Sequence, residues 1–254
     1  MEGKKVYFAS DFHLGLAAGT NPREREARVV AWLRKASEDA SEIYLLGDIF
    51  DFWWEYRDVV PRGFSRFLGT LSSLTDSGIK LHIFTGNHDL WMKEYLSEEC
   101  GAVIHHQPLL TTIGNERFYL AHGEGLGSLS KGFIFLLGFF HNRFARWLFS
   151  FLHPRIGMSI GHSWSNSSRL AKHVSLPFLG EDKEDLIRHT RQIISDGCDA
   201  RYFIYGHRHM PLDFDENGRK MIILGDWFSF TSYAVYDGRE LRLVSEPYSA
   251  STLT

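Results

Sequence analysis

Five short apolar runs in this chain end in the same kind of chemistry. Asp11 and His13 close "KKVYFASDFH", and Asp48 closes "EIYLLGD". Asn87, His88 and Asp89 close "KLHIFTGNHD", His122 follows "RFYLA", and His207 and His209 close "RYFIYGHRH". Carboxylate, imidazole and amide oxygen are the ligands that hard and borderline divalent metals take, and no thiolate stands among them. One Asp or His after a strand is ordinarily a cap or a turn residue. Five such ends in one chain, each behind a hydrophobic run, form a constellation. Asp11/His13 and His207/His209 are i, i+2 pairs, which project to one side where the backbone stays extended. With His88 and Asp89 set aside, seven candidate ligands remain. That is about what two adjacent metal ions need when one carboxylate bridges them, and such pairs serve phosphoryl hydrolysis.

These residues need elements to hold them. The runs are short and rich in β-branched and aromatic residues, which predicts buried strands. Helical patterns lie between several of them. Residues 22–39 open with Pro22 and carry Val29, Val30, Trp32 and Leu33, and 62–77 and 181–196 read likewise. Strand–helix alternation predicts an α/β layered fold, whose sites form beyond the carboxyl ends of the strands. "SYAVYDGRELRLVSE" reads as a hairpin turning at Asp237-Gly238. Asp226 in "LGDW" reads as a turn or cap, His105 and His106 as surface or strand-end residues, and "EDKEDLIRHTRQ" as a solvated helix face.

The chain has 254 residues, 44% of them hydrophobic, enough for one large domain over 1–254 with a substantial core. The net charge of −3 gives no sign of a nucleic-acid partner. Two distant cysteines, Cys100 and Cys198, are expected as reduced thiols in a cytoplasmic protein, and the N-terminal stretch predicts no signal peptide.

Residues 126–180 differ from the rest and read as an insertion. The 56 residues between Glu124 and Glu181 contain no Asp or Glu, where the chain average would give about seven. They hold six Lys or Arg (Lys131, Arg143, Arg146, Arg155, Arg169 and Lys172), and a nine-residue apolar run from Gly132 to Phe140. A membrane span needs roughly 18 apolar residues, so the run predicts a core helix or an amphipathic surface helix instead.

"DFH", "GDIFD", "GNHD", "AHG" and "GHRH" occur in the order of the calcineurin-like metallophosphoesterases, which the chain resembles over residues 11–209. The resemblance implies a β-sandwich of two sheets flanked by helices. It implies one metal held by Asp11, His13, Asp48 and His209, and a second held by Asp48, Asn87, His122 and His207. Asp48 then bridges the two, and His88 lies near the leaving group, oriented by Asp89. Within that superfamily "DFHLG", "GDIFDFWWEY", the insertion and "SNSSRLAKH" are similar to the UDP-2,3-diacylglucosamine hydrolases of the lipid A pathway. That likeness implies a manganese enzyme, with zinc or iron able to substitute. It implies cleavage of a nucleotide-lipid diphosphate to UMP and 2,3-diacylglucosamine 1-phosphate, and peripheral attachment to the inner membrane. It also implies a helical cap over 126–180 in which Phe139, Phe140 and Trp147 meet acyl chains and Arg143, Arg146 and Arg169 meet phosphate or anionic lipid. The chain departs from those enzymes at His88, where they carry Arg, and at Glu124, where they carry Asp. Another phosphomonoester or phosphodiester substrate, or a non-catalytic scaffold of the same fold, are the alternatives.

Overall fold

The computed structural model describes residues 4–16, 21–126, 138, 142–170, 178 and 180–247, without the side chains of 164, 166–170, 246 and 247. Among the described residues, eleven strands form two mixed sheets. The first has the order β11-β10-β1-β2-β3-β4 and the second β5-β6-β7-β9-β8. In the first, β1 (Lys5–Ala9), β2 (Ala40–Leu46), β3 (Lys80–Phe84) and β4 (Val103–His105) run parallel. β10 (Phe230–Tyr236) and β11 (Leu241–Pro247) join it antiparallel. In the second, β6 (Glu116–Ala121), β7 (Tyr202–Tyr205) and β9 (Arg219–Ile223) are parallel, edged by β5 (Leu109–Ile113) and β8 (Leu212–Glu216).

The strands are hydrophobic on both faces because both faces are covered. Phe8, Tyr44, Phe84, Phe118, Ile204 and Ile222 point into the seam between the sheets. The alternate residues Ala9, Ile43, Leu45 and Ile83 face α1 (Pro22–Ala36), α2 (Ser65–Asp76) and α3 (Tyr95–Cys100) on the outer side of the first sheet. Phe203, Tyr205 and Ile223 meet Leu186 and Ile187 on the outer side of the second. The order of layers is helix, sheet, sheet, helix. The five strands expected from the apolar runs are all present as β1, β2, β3, β6 and β7, β9 is the strand that "LGDW" closes, and β4, β5 and β8 are additional. The terminal hairpin turns through 237–240, where Asp237 Oδ1 accepts from the amides of Arg239 and Glu240.

The described residues of the 126–180 region include the helices α4 (Arg143–Ser150) and α5 (Pro154–Leu170). Asn142 caps α4 by accepting from the amides of Phe144 and Ala145. α4 buries none of its residues. It meets the main body through Phe149, whose ring lies 4.4 Å from that of Trp54. Phe52, Trp54 and Trp91 form a separate apolar cluster there with Tyr56 and Met158. The sequence left a core helix and a surface helix both open at this segment. Phe144, Trp147, Leu148 and Phe151 are exposed, so α4 lies on the surface. Gly132–Phe140, including Phe139 and Phe140, lies outside the described residues except for Gly138. Among the described residues no helix is long and apolar enough to cross a membrane.

The last helix, α6 (Asp185–Ser195), corrects one expectation. The charged stretch before it is not wholly solvated. Glu184 is buried, and both its oxygens receive the Arg208 guanidinium, at 2.9 and 2.7 Å. A buried carboxylate requires such a partner, and this pair ties the start of α6 to the loop carrying His207 and His209.

Candidate metal centre

The parallel strands of the two sheets deliver the polar run ends to one place. Asp11 and His13 follow β1, Asp48 follows β2, and Asn87 follows β3; His122 follows β6, and His207 and His209 follow β7. Asp11, His13, Asp48 and His209 offer ligand atoms within 4.8 Å of one another, and so do Asp48, His122 and His207. Asp48 belongs to both groups. Its Oδ2 lies 3.6 Å from His13 Nε2 and 3.5 Å from His122 Nε2, between the two clusters. Its Oδ1 accepts from the His88 amide at 2.9 Å, which fixes the carboxylate plane.

The backbone reaches this arrangement by a route that the alternation of extended strands does not foresee. Asp11, His13, Asp48, His207 and His209 all have φ between 42° and 69°. The i, i+2 pairs therefore share a side through left-handed turns, not through extended backbone. Left-handed φ in a non-glycine residue costs roughly 1–2 kcal/mol, and such residues gather at functional sites where the surroundings hold them. Two glycines make the close approach possible. A Cβ on Gly86 would overlap the Asp48 carboxylate, and one on Gly206 would lie 2.7 Å from Asp11 Oδ2. Arg25, fully buried in α1, donates to the carbonyls of His13 and Leu16 and so holds the first loop from behind.

Several of the candidate ligands are oriented by neighbours. His122 Nδ1 lies 2.7 Å from the Leu46 carbonyl, which places the proton on Nδ1 and turns Nε2 toward Asp48. Asp11 Oδ2 accepts from Ser10 Oγ at 2.5 Å and from the His207 amide at 3.0 Å, leaving Oδ1 to the site. His209 turns Nε2 toward Asp11 Oδ1 at 3.6 Å and Nδ1 toward Asp226 Oδ2 at 3.6 Å. Asp226 does make the turn expected of it, with Oδ1 accepting from the amides of Phe228 and Ser229. It also backs a candidate ligand, and its position directly after β9, like those of the candidate ligands after β1, β2, β3, β6 and β7, was the available signal. Asp89 spends its carboxylate on the amides of Ile49, Phe50 and Gly86. It therefore braces the loop around His88, while the His88 ring meets Asp51 and Ser165.

The electrostatics are those of a dry, charged site. Burial raises the Asp48 carboxyl, but His122, His88 and His13 around it override that and hold it well below its ordinary range. Burial lowers His122, and Asp48 beside it overrides that and holds it up at about 10. Burial lifts Asp11 to about 6, against the pull of His209 and His122. Burial and then the charge of Asp48 lift Asp89 to about 7.

These residues fit metal ions by a structural test. Asp11 Oδ1, Asn87 Oδ1 and His122 Nε2 are buried and have no hydrogen-bond partner among the described residues. Buried polar atoms without partners are rare and costly. Asp11 and His122 belong to the two groups that share Asp48, Asn87 follows β3 beside them, and divalent cations would account for the three atoms. His13, Asp51 and His88 also gather within 4.8 Å, but Ser165 and His162 approach the Asp51 carboxylate at 2.7 and 3.5 Å.

The candidate substrate residues stand differently. Trp147 is exposed on α4, beside Phe144 at a ring distance of 5.7 Å and Phe151 at 4.7 Å. Arg143 and Arg146 lie on the same helix. Arg169 falls within α5, but its side chain lies outside the described residues.

The sequence has relatives among known proteins. The calcineurin-like phosphoesterase family matches residues 4–211. A protein of Porphyromonas gingivalis named UDP-2,3-diacylglucosamine hydrolase is 37% identical, covering 95% of this chain and 97% of that protein. One of the same name from Aeromonas hydrophila is 28% identical, over 93% and 96%. Among solved structures, zinc-complexed Vps29 of Entamoeba histolytica aligns over 98% of this chain and 94% of that one, at 12% identity and a TM-score of 0.47. With its motifs on the loops after the parallel strands and its His/Asp clusters buried where those loops meet, the chain belongs to the calcineurin-like phosphoesterases.

Proposed function

We propose that this chain hydrolyses the diphosphate of a UDP-2,3-diacylglucosamine, releasing UMP and 2,3-diacylglucosamine 1-phosphate. The observation that carries the reading is the 37% identity, across nearly the whole of both chains, to a protein of that name. Asp11, His13, Asp48 and His209 would hold one divalent ion, and Asp48, Asn87, His122 and His207 the other. The oxygen and imidazole donors suit manganese, with zinc or iron as substitutes. Such a pair would polarise the phosphoryl oxygens and lower the pKa of an attacking water.

The chain's own residues do the rest. Asp48 keeps its charge between the clusters, and Asp226 and the Leu46 carbonyl hold two imidazoles in register. His88, whose ring lies 4.9 Å from that of His13, stands beside the leaving group and hands it a proton. A departing phosphate monoester is weakly basic and needs little such help, whereas an alkoxide needs much. Hydrolysis of ordinary phosphodiesters is therefore the second reading that His88 supports.

The cap suits the acylated half of the substrate and the inner-membrane surface. Phe144, Trp147, Leu148, Phe151, Ile156 and Ile160 expose large apolar side chains on α4 and α5. Arg143, Arg146 and Arg155 on those helices complement anionic headgroups. Each CH₂ removed from water contributes about 0.8 kcal/mol, so acyl contacts supply much of the affinity.

The test is a product assay of manganese-loaded protein with UDP-diacylglucosamine beside a panel of phosphomonoesters and diesters. Release of UMP at a kcat/KM well above the panel is expected. Preference for another member of the panel would replace the lipid reading.

A further inference from the structure

Helix α5 carries three small residues at intervals of four: Gly157, Gly161 and Ser165. This spacing puts them on one face. A Cβ on Gly157 would overlap the Tyr56 hydroxyl, and one on Gly161 would overlap the Phe52 ring. The helix backbone therefore lies directly on loop 51–56, just beyond Asp48. At that closeness the next residue along the face reaches the site. Ser165 is fully buried, and its hydroxyl donates to Asp51 Oδ1 at 2.7 Å. The same oxygen lies 3.2 Å from His88 Nδ1. His162, three residues earlier and on the same face, brings Nδ1 to 3.5 Å from Asp51 Oδ2. Two cap residues thus take the two oxygens of one buried carboxylate.

The hydrogen bonding has one consistent reading. A hydroxyl that gives its proton to Asp51 has only lone pairs left for His88. A second partner of His88 Nδ1 is the Asp51 backbone carbonyl at 3.0 Å, also an acceptor. Both acceptors require a proton on Nδ1, so the proton that the imidazolium passes to the leaving group is the one on Nε2, and its loss leaves the Nδ1–H tautomer. Either acceptor alone would leave the ring freer to rotate.

We propose that Ser165 is a positioning residue for His88, delivered by the cap helix, so that seating of the cap fixes the tautomer and plane of the imidazole that serves the leaving group. This rests on the reading of His88 as a proton donor. It goes further by making that donor depend on a helix outside the sheets. An active site assembled partly by its cap discriminates in favour of substrates that let the cap seat.

The experiment measures kcat/KM of manganese-loaded protein for aryl phosphodiesters whose phenols differ in basicity. The variants are Ser165→Ala, His88→Ala and the double mutant. Ser165→Ala should lose roughly tenfold with the most basic phenol and about twofold or less with the least basic. The double mutant should match His88→Ala alone, because a positioning residue has nothing left to position. Gly161→Leu, which lifts the helix while leaving residues 51, 88 and 165 unsubstituted, should steepen the leaving-group dependence in the same direction. A second readout is independent of turnover. Imidazole ¹⁵N spectra of zinc-loaded protein should show His88 protonated on Nδ1, with the resonance moving toward tautomer exchange in Ser165→Ala. A steep His88→Ala profile with a flat Ser165→Ala profile and an unmoved resonance overturns the Ser165 assignment. A flat profile in His88→Ala itself overturns the proton-donor reading on which it stands.

Discussion

At the ends of the parallel strands the buried side chains are polar: Asp11 and His13 are fully buried and Asp48 is 1% exposed. On α4 the exposed side chains are apolar: Phe144 and Phe151 are each 68% exposed and Trp147 is 55% exposed. A folded chain ordinarily does neither, and the informative exceptions to hydrophobic burial are a buried polar cluster and a large exposed apolar patch. Here the two exceptions are neighbours, joined by α5. The first costs stability through burial of charge and left-handed backbone. The second costs solubility. Each cost makes sense if a partner offsets it: cations in the first, acyl chains or bilayer in the second. On the proposed function, the chemistry would belong to the sheets and the choice of substrate to the 126–180 region.

The largest effect expected of this division falls on Asp48. Asp48→Ala removes the one residue shared by both clusters, and hydrolysis of every substrate, acylated or not, should fall by on the order of 10³-fold or more. Metal analysis should show loss of bound ion in parallel. Full activity in that variant would remove the bridging assignment.

Next comes His88. His88→Ala should keep both ions and lose about 10²-fold with basic leaving groups, far less with a diphosphate. A uniform loss would show that the histidine serves binding or packing.

A smaller effect is expected at Asp226, which acts on a candidate ligand from behind. Asp226→Asn keeps the turn oxygen but weakens the hold on His209 Nδ1, and metal affinity should drop about 10-fold with little change in Tm. An unchanged affinity in a metal titration would return Asp226 to a turn residue alone.

The smallest effect lies away from both regions and marks what an ordinary buried polar group does. His82 stacks between Tyr44 and His105. Burial, with the charge of His105, pushes its pKa down to about 4 from the ordinary 6.5. The unfolded chain then binds this proton first as pH falls. The stability of keeping His82 neutral is present above about pH 6.5 and is lost as pH drops toward about 4. Replacing it, as in His82→Leu, should flatten the dependence of Tm on pH in that window without changing turnover at pH 7.5. A slope equal to the wild type's would assign the acid sensitivity elsewhere.

The candidate ligands and the strands carrying them were legible in the sequence because each candidate follows an apolar run directly, and local pattern reports such things well. It did not show the left-handed turns at Asp11, His13, Asp48, His207 and His209, since those conformations are imposed by packing between loops. Asp226 was read as a turn because its local role is genuine and its second role depends on His209, seventeen residues earlier. Glu184 was read as solvated because its partner, Arg208, is remote in sequence. Ser165 sits in a stretch whose helical register is legible, but its contact with His88 spans 77 residues. Long-range polar contacts between side chains leave no periodicity to find.

The measurement that bears most directly on the division of labour is a ratio. Phe144, Trp147 and Phe151 together become Ser, and turnover is measured for UDP-diacylglucosamine and for a small soluble aryl phosphodiester at the same metals. The account predicts that the ratio of the first to the second falls at least about tenfold, with the small substrate hydrolysed as in the wild type and anionic vesicles no longer bound. A parallel fall of both activities, or no fall in either, would contradict it.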